Sequence, residues 1–229
     1  VSVILMNPQN GELYAMVNVP EFDLNDPFTL NFVSDSETSD ENLLNQMWRN
    51  GCLNDTYEPG STFKIVTAAS ALEHQKVVVE DVFSCPGYRI VADRKIRCHQ
   101  TRGHGTVTFT EGFMNSCNPV FMDVGARLGV EELYETFEML GLFEKTGVDL
   151  PGEASSIMHR AENVGAVELA TISFGQSFQI TPLQLLRAVS AIINGGTLVT
   201  PHLGMHVFNN ATMQETVFEY PLYENVIAK

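Results

Sequence analysis

The sequence lacks a long apolar run, and no part of it approaches the roughly 18–20 apolar residues of a membrane-spanning helix. Positive charge is also scarce, because 13 Lys and Arg stand against 28 Asp and Glu, for a formal net charge of −15. A nucleic-acid binder needs a basic face, so this balance argues against that class. The chain opens at Val1 without a signal-peptide pattern. Either the protein is cytosolic, or its membrane anchor lies outside these residues.

Cysteine is scarce as well, since the chain holds 4 and none of them forms a Cys-x-x-Cys pair. Four are too few for a disulfide scaffold and do not identify the compartment. Cys85, Cys98, His99 and His104 raise the idea of a zinc site. Their spacing differs from the common zinc motifs, so we predict no metal. Cys117 has no recognisable His or Asn/Asp partner, which argues against a cysteine nucleophile.

What the sequence does contain is typical of a globular domain, with 44% hydrophobic and 18% charged residues. Apolar runs on both sides of the Asn10-Gly11 turn signal predict an opening β-hairpin over residues 1–17. A helical subdomain is predicted over about 55–194 and a second hairpin over about 200–221. Strands, then helices, then strands indicate an α+β domain.

Within this plan, residues 20–54 lose their periodicity and are predicted to be irregular, with a solvated loop over residues 34–41. Short strands are predicted over 77–109, the clearest at 106–109. Helices are predicted over residues 61–74, 110–128 (interrupted by Pro119), 130–140 and 181–193.

Ser61 and Lys64 form the sharpest local pattern. Three residues are nearly one helical turn, so the hydroxyl and the amine share a face. Pro59-Gly60 places Ser61 at a helix N-terminus, where free N–H groups can bind an oxyanion and the helix dipole disfavours an ammonium. A buried Lys64 could then act as the neutral base that activates Ser61 for acyl transfer. The alternative is a capping serine and a solvent-facing lysine.

Ser116-Cys117-Asn118 is a second candidate, placed just before Pro119 and between two helical patterns. A hydroxyl and a carboxamide two residues apart in a sharp turn can point into one cleft. Ser116 could relay a proton there, and Asn118 could hold a substrate amide. Ser and Asn also favour helix caps, so a simple capping turn is the alternative.

Glu58–Lys64 (EPGSTFK) and Ser116-Cys117-Asn118 together resemble the first two active-site motifs of the transpeptidase domain of class B penicillin-binding proteins. The resemblance covers almost the whole chain, because further family-like segments follow in the same order. They are Asn7-Pro8, Gly103-His104-Gly105, Asp149–Glu153, Phe174-Gly175-Gln176 and Ile180–Gln184. It implies the penicillin-binding transpeptidase or serine β-lactamase-like fold, a helical subdomain packed on an antiparallel sheet.

The third family motif, Lys-Ser/Thr-Gly, is expected on a strand downstream of the Thr181 helix. Lys145-Thr146-Gly147 has the right letters but lies upstream of that helix in a segment without a strand pattern, so we predict that it is not this motif. The resemblance implies that the motif lies beyond Lys229 and that the sheet is incomplete in this chain. We therefore expect these residues alone to be a weak or inactive catalyst.

The resemblance also implies the roles of the site residues in cross-linking peptidoglycan. Ser61 would attack the carbonyl between the terminal D-Ala residues of a stem peptide, and Lys64 would take its proton. Ser116 would relay the proton toward the leaving D-Ala, while Asn118 would hold the substrate backbone. β-Lactam antibiotics would mimic the donor peptide, and neither a metal nor an organic cofactor is needed.

The same resemblance implies work at the extracytoplasmic face of the bacterial membrane, in a membrane-anchored parent protein beside a cell-wall glycosyltransferase. Cys85-Pro86-Gly87-Tyr88 with Cys98-His99 suggests a division- or sporulation-type branch. Cys85 and Cys98 could form a disulfide there or remain two thiols. A serine β-lactamase or β-lactam sensor, which needs a base to activate water, and a non-catalytic cell-wall binding module stay open as alternatives.

Overall fold

The computed structural model describes residues 1–31 and 39–227. Most of the predicted loop over residues 34–41 therefore lies outside the described residues. The helices are α1 Asp40–Met47, α2 Lys64–Glu73, α3 Phe109–Met114, α4 Asn118–Met139, α5 Ala166–Ile172 and α6 Pro182–Ile193. The strands are β1 Ser2–Met6, β2 Leu13–Asn18, β3 Val82–Cys85, β4 Tyr88–Val91, β5 Arg94–Arg97, β6 Gly105–Thr108, β7 Leu198–Val199, β8 His206–Asn209, β9 Gln214–Val217 and β10 Leu222–Tyr223.

The strands pair antiparallel, which together with the helices agrees with the predicted α+β class. In the described part of the chain every sheet is two-stranded: β1–β2, β3–β6, β4–β5, β7–β10 and β8–β9. The structure thus has a hairpin at each end of the chain, β1–β2 and β8–β9. The antiparallel sheet that the resemblance implies was expected to be incomplete in this chain, and the described residues form the two-stranded pairs above.

Helices α1 and α3 differ from the sequence predictions. Helix α1 lies where we predicted irregular chain. Its only buried residues are Leu43 and Met47, and two apolar positions are too few to show a helical period in the sequence. Phe109 begins α3 instead of ending a strand. Thr108 caps this helix, since its hydroxyl accepts from Glu111 N at 3.2 Å and Glu111 Oε2 accepts from Thr108 N at 2.7 Å.

The main core lies between α2, α4 and the chain that follows α5. Phe63 has its ring 5.2 Å from that of Phe137 and 4.7 Å from that of Phe178, and all three are buried. Helix α4 carries much of this core and is interrupted at Gly129 (φ 76°, ψ 174°), which separates the two predicted helical patterns. In the described residues no helix is both long and apolar enough to cross a membrane.

Replacing Phe63 with alanine tests this core. Phe63 is fully buried, so Phe63→Ala should leave a cavity and lower the free energy of unfolding by about 3–5 kcal/mol. Urea unfolding at equilibrium measures the loss. Phe208 on β8 is 48% exposed and serves as the matched control, because Phe208→Ala should cost less than about 1 kcal/mol. Equal losses for the two variants would contradict this description of the core.

Candidate active site

The amine of Lys64 lies at the centre of the candidate site. Lys64 begins α2, yet it is only 2% exposed. Its Nζ lies 3.2 Å from Ser61 Oγ, 2.9 Å from Ser116 Oγ and 2.8 Å from Asn118 Oδ1. The backbone oxygen of Ser116 is 2.7 Å away. One buried amine therefore joins two hydroxyls and a carboxamide from separate parts of the sequence.

The four oxygen atoms around Lys64 Nζ outnumber the protons that it can donate. An ammonium has three N–H bonds, and the backbone oxygen of Ser116 and Asn118 Oδ1 can only accept. A neutral amine has two N–H bonds, which match these two acceptors. Its lone pair is then left for a hydroxyl proton, so either Ser61 or Ser116 can donate to it.

Burial favours this neutral form. It lowers the pKa of Lys64 from 10.5 to about 8, and the smaller effects of Cys98 and Cys117 oppose the change. His104 faces the same region, and burial followed by the nearby His99 and Lys64 lowers its pKa too. About one-tenth of Lys64 is then neutral at pH 7. That fraction is enough for a general base, whose pKa should lie near the working pH.

Ser61 is held in place by contacts just before α2. It is exposed and lies in the short 3-10 turn that leads into this helix. Gly60 N donates to Gly175 O at 2.8 Å, and Gly175 (φ 84°) is so close that an added Cβ would lie 2.1 Å from Gly60 O. Glu58 Oε1 accepts from Ser177 N at 2.8 Å. The turn around Gly175 therefore supports the chain that presents the Ser61 hydroxyl.

Ser116 is presented by the C-terminal end of α3. Ser116 N donates to Phe113 O at 2.9 Å and Cys117 N donates to Gly112 O at 2.8 Å, the hydrogen bonds of a Schellman motif. Ser116 has φ 48°, a left-handed conformation in which glycine is usual. A serine there costs on the order of 1 kcal/mol, the kind of strain found at functional sites. Both Ser116 oxygens reach Lys64 from this conformation.

Asn118 begins α4 and faces an open cleft. Its Oδ1 accepts from Lys64, and its Nδ2 donates to Arg97 O at 3.3 Å, which fixes the orientation of the amide. The cleft has a volume of about 740 Å³. Besides Asn118 its lining includes Arg94, Lys95, Arg97 and His99 from the β5 region and Val167, Thr171, Phe174 and Gln176 from α5 and the chain after it.

The structure brings together the four residues that we predicted for acyl transfer, Ser61, Lys64, Ser116 and Asn118. Lys145-Thr146-Gly147 lies elsewhere, outside any strand and in the lining of a separate cavity of about 400 Å³. Thr146 N donates to Glu153 Oε1 at 2.8 Å, so this segment belongs to a loop, as predicted.

All four cysteines lie within the described residues and are free thiols, which for Cys85 and Cys98 is one of the two alternatives that the sequence left open. Cys85, Cys98, Cys117 and His104 have their ligand atoms within 4.8 Å of one another. Cys85, Cys98 and His104 were considered together in the sequence and set aside because of their spacing, whereas Cys117 was considered only as a nucleophile.

Two supporting residues were also missed. Gly175 and Glu58 stood out only as members of family-like segments, and the contact of Gly175 with Gly60 was not predicted. The glycine pair offered a signal, since glycine is usual where two backbones come close. No local pattern indicates which backbone approaches which.

Comparison with known families gives a match over almost the whole length of the chain. The transpeptidase domain of the penicillin-binding proteins matches residues 1–226. Stage V sporulation protein D of Bacillus subtilis is 41% identical over 220 residues, which cover 96% of this chain and 32% of that protein. The peptidoglycan D,D-transpeptidase MrdA of Acinetobacter baumannii is 29% identical over 213 residues, covering 88% and 32%. The chain thus spans about a third of the length of these relatives.

Solved structures show the same fold. Penicillin-binding protein 3 of Mycobacterium tuberculosis in complex with aztreonam superposes with a TM-score of 0.84 at 25% identity, covering 99% of this chain and 48% of that chain. The penicillin-binding protein of a Helicobacter pylori complex with MreC has a TM-score of 0.76 at 28% identity, with coverages of 98% and 41%.

Because Gly175 lies against the backbone of Gly60, we expect a single methyl group added at Gly175 to lower the stability of the protein strongly. Gly175→Ala should destabilise the protein by at least about 2 kcal/mol, because the new Cβ meets backbone and cannot be relieved by a side-chain rotation. Urea unfolding measures the change. Gly105 is the matched control, since it also has a positive φ (72°) but nothing within 4 Å of an added Cβ. A loss for Gly175→Ala no larger than that for Gly105→Ala would contradict the contact.

The surroundings of Lys64 predict its titration. In protein with ¹³C-labelled lysine, the Cε resonance of Lys64 should titrate with a midpoint near pH 8, because the neutral amine forms as the pH rises. Lys64→Met removes this resonance and so assigns it. A midpoint of 10 or above would show that burial does not favour the neutral amine.

Proposed function

The chain belongs to the penicillin-binding-protein transpeptidase family, as its motifs predicted, and we propose that it carries the serine acyl-transfer centre of a peptidoglycan D,D-transpeptidase. The observation that supports the proposal most directly is the position of Lys64 Nζ, within 3.2 Å of Ser61 Oγ and 2.9 Å of Ser116 Oγ. A buried amine with two hydroxyl neighbours can take a proton from one and pass it to the other.

In the proposed reaction, Ser61 Oγ attacks the carbonyl carbon between the two terminal D-Ala residues of a donor stem peptide. Its proton goes to the neutral Lys64. Ser116 relays a proton to the nitrogen of the leaving D-Ala as the C–N bond breaks, which leaves an ester on Ser61. The amine of a second stem peptide then attacks this ester, the C–O bond to Ser61 breaks, and a proton from that amine passes through Lys64 to Ser61 Oγ.

The cleft beside Asn118 suits such a donor. The Asn118 Oδ1 accepts a hydrogen bond from Lys64. The Asn118 Nδ2 donates to Arg97 O over a longer distance of 3.3 Å, so this Nδ2 is the group that can donate to a substrate carbonyl. Arg94, Lys95 and Arg97 line the cleft of an otherwise acidic protein. These cations would attract a peptide that carries carboxylates.

β-Lactams would follow the same first step, since opening of the ring by Ser61 Oγ leaves an ester on the serine. Two of the structural relatives, both penicillin-binding protein 3 of Mycobacterium tuberculosis, hold aztreonam and ampicillin. We extend binding of this antibiotic class to Ser61 of the present chain.

A β-lactamase would also need a carboxylate to activate the water that removes the acyl group. Glu111 is the acidic residue nearest in sequence to Ser116, but its Oε2 accepts from Thr108 N at 2.7 Å and so is used to cap α3. This observation favours a transpeptidase, which keeps its acyl group until an amine arrives.

The setting of the reaction is also a proposal. Peptidoglycan lies outside the cytoplasmic membrane, so we place this domain at the extracytoplasmic face, in a membrane-anchored protein that works beside a cell-wall glycosyltransferase. The Helicobacter pylori relative was solved as a complex with MreC. That complex supports the proposal that this chain also works in a protein assembly, and the glycosyltransferase partner is proposed from the family resemblance alone.

Replacement of the nucleophile tests the proposal. In the full-length protein, Ser61→Ala should abolish covalent labelling by a fluorescent penicillin, because alanine cannot form the ester. Ser116→Ala should slow labelling by about 10²–10⁴, the usual contribution of a positioned proton-transfer group. Labelling is followed by gel fluorescence, and the adduct is mapped by mass spectrometry.

Ser155, which is exposed and does not line the cleft, provides the control. Ser155→Ala should label at the wild-type rate. An adduct that persists in Ser61→Ala, or that maps to another residue in the wild type, would refute the proposed nucleophile.

A further inference from the structure

The donor cleft has one positively charged wall, which is formed by strand β5. Arg94, Lys95 and Arg97 lie in this four-residue strand and line the cleft, although the whole chain holds only 13 Lys and Arg. The reaction proposed above uses Arg97 through its backbone oxygen, which accepts from Asn118. It gives the guanidinium of Arg97 no role of its own.

The hairpin β4–β5 is held in a defined position next to the acyl-transfer site. Arg89 on β4 donates from Nε and Nη2 to the two carboxylate oxygens of Asp123 on α4, at 2.8 and 2.5 Å. Its Nη2 also donates to Ser84 O at 2.6 Å. On β5, Arg97 O accepts from Asn118 Nδ2 at 3.3 Å. The positively charged strand is therefore anchored to the helix that carries Asn118.

The three cations of this wall differ in what they contact. Arg94 Nε lies 3.6 Å from Asp93 Oδ1, and Lys95 Nζ lies 3.9 Å from the centre of the Tyr88 ring. Arg97 is exposed, and its guanidinium forms no ion pair with a carboxylate of residues 1–31 or 39–227. Arg97 therefore presents an uncompensated positive charge to the cleft.

The wall opposite β5 is less polar. Val167 and Thr171 of α5 line it, together with Phe174 in the chain that follows this helix. The cleft volume of about 740 Å³ is in the range of small-ligand sites and leaves room for a side chain besides the terminal D-Ala residues. An apolar wall that faces a positively charged wall suits a side chain with methylene groups and a terminal carboxylate.

The position of Asn118 indicates which residue of the donor lies beside Arg97. In the proposed reaction Asn118 holds the donor backbone next to the scissile bond, and each further residue of an extended peptide adds about 3.3–3.6 Å. The backbone of Arg97 is one hydrogen bond away from this amide, so its long side chain extends to the next residue along the donor. That residue precedes the two terminal D-Ala residues and is the third residue of the stem peptide.

We propose that the Arg97 guanidinium binds a carboxylate on the side chain of the donor's third residue, so that donors of the diaminopimelate type are preferred. This inference rests on the acyl-transfer function proposed above. A diaminopimelate side chain ends in a carboxylate and an amine, whereas a lysine side chain ends in the amine alone. A guanidinium can donate two parallel hydrogen bonds to a carboxylate. An amide offers only one acceptor oxygen, and an ammonium offers none.

The test measures donor preference while the acceptor is held constant. Full-length protein exchanges the terminal D-Ala of a soluble pentapeptide for isotopically labelled D-Ala, and kcat/KM is measured for three donors. Their third residues are meso-diaminopimelate, the same residue with its side-chain carboxylate amidated, and lysine. We expect the first donor to be used about fivefold better than the other two, because it alone has the carboxylate. A preference below about twofold would overturn the proposal.

Substitution of Arg97 then assigns the preference to one side chain. Arg97→Gln should lower kcat/KM for the carboxylate donor about fivefold and change that for the amidated donor by less than about twofold. Arg97→Lys keeps the charge and should retain a preference of at least about twofold. A merely structural role would lower kcat/KM for all three donors by the same factor, and that result would contradict recognition by Arg97.

Arg160 supplies the matched control, because its side chain is 83% exposed and does not line the cleft. Arg160→Gln should show the wild-type preference. Arg94→Gln tests whether the summed positive charge of β5 is the cause. If Arg94→Gln loses as much of the preference as Arg97→Gln does, a general attraction sets the preference and the assignment to Arg97 is wrong.

Labelling of the same wild-type preparation by a fluorescent penicillin separates this inference from the function on which it rests. Suppose that Ser61 is labelled but the three donors are equal, both in exchange and in competition with the penicillin. Recognition by Arg97 is then wrong, while the acyl-transfer centre stands. If neither the penicillin nor any donor reacts at Ser61, the proposed function fails and this inference fails with it.

Discussion

The burial of one amine is the constraint on which the site depends. Lowering the pKa of Lys64 from 10.5 to about 8 corresponds to roughly 3 kcal/mol by which the folded protein disfavours the ammonium. Two acceptor-only oxygens and two hydroxyls surround the amine, so it remains hydrogen-bonded in either protonation state. The protein thereby places a lysine, instead of a histidine, as the neutral base beside Ser61.

Backbone geometry is what makes this arrangement possible. Gly60 and Gly175 bring two turns into direct contact behind Ser61, and the left-handed conformation of Ser116 aims two oxygens at Lys64. Cys117 follows in the same turn, and its sulfur lies within 4.8 Å of the thiols of Cys85 and Cys98 and of a ring nitrogen of His104.

Local sequence patterns predicted those features that local physics determines. The Ser61 to Lys64 spacing placed both groups on one side of a turn, and the helix predicted over residues 181–193 is α6. The motifs, through family resemblance, supplied the pairing of Ser61 with Ser116. Helix α1 was missed because two buried residues make no detectable period.

The proximity of Cys85, Cys98, Cys117 and His104 could not be predicted for a different reason. They come from β3, the chain after β5, the approach to β6 and the residue before α4, so the spacing that set three of them aside says nothing about their distance in space. The contact of Gly60 with Gly175 is likewise set by tertiary packing. Both features depend on which backbones meet in space, and a single sequence carries that information only through its resemblance to a family.

The pH dependence of acylation tests the central claim most directly. The rate of benzylpenicillin attachment to Ser61 in the full-length protein should rise about tenfold per pH unit from pH 6 and level off above pH 8, as Lys64 loses its proton. Lys64→Arg, which stays charged throughout this range, should remove the rise together with nearly all of the rate. A rate that is constant from pH 6 to 9, or a rise that persists in Lys64→Arg, would contradict the account of a neutral lysine base.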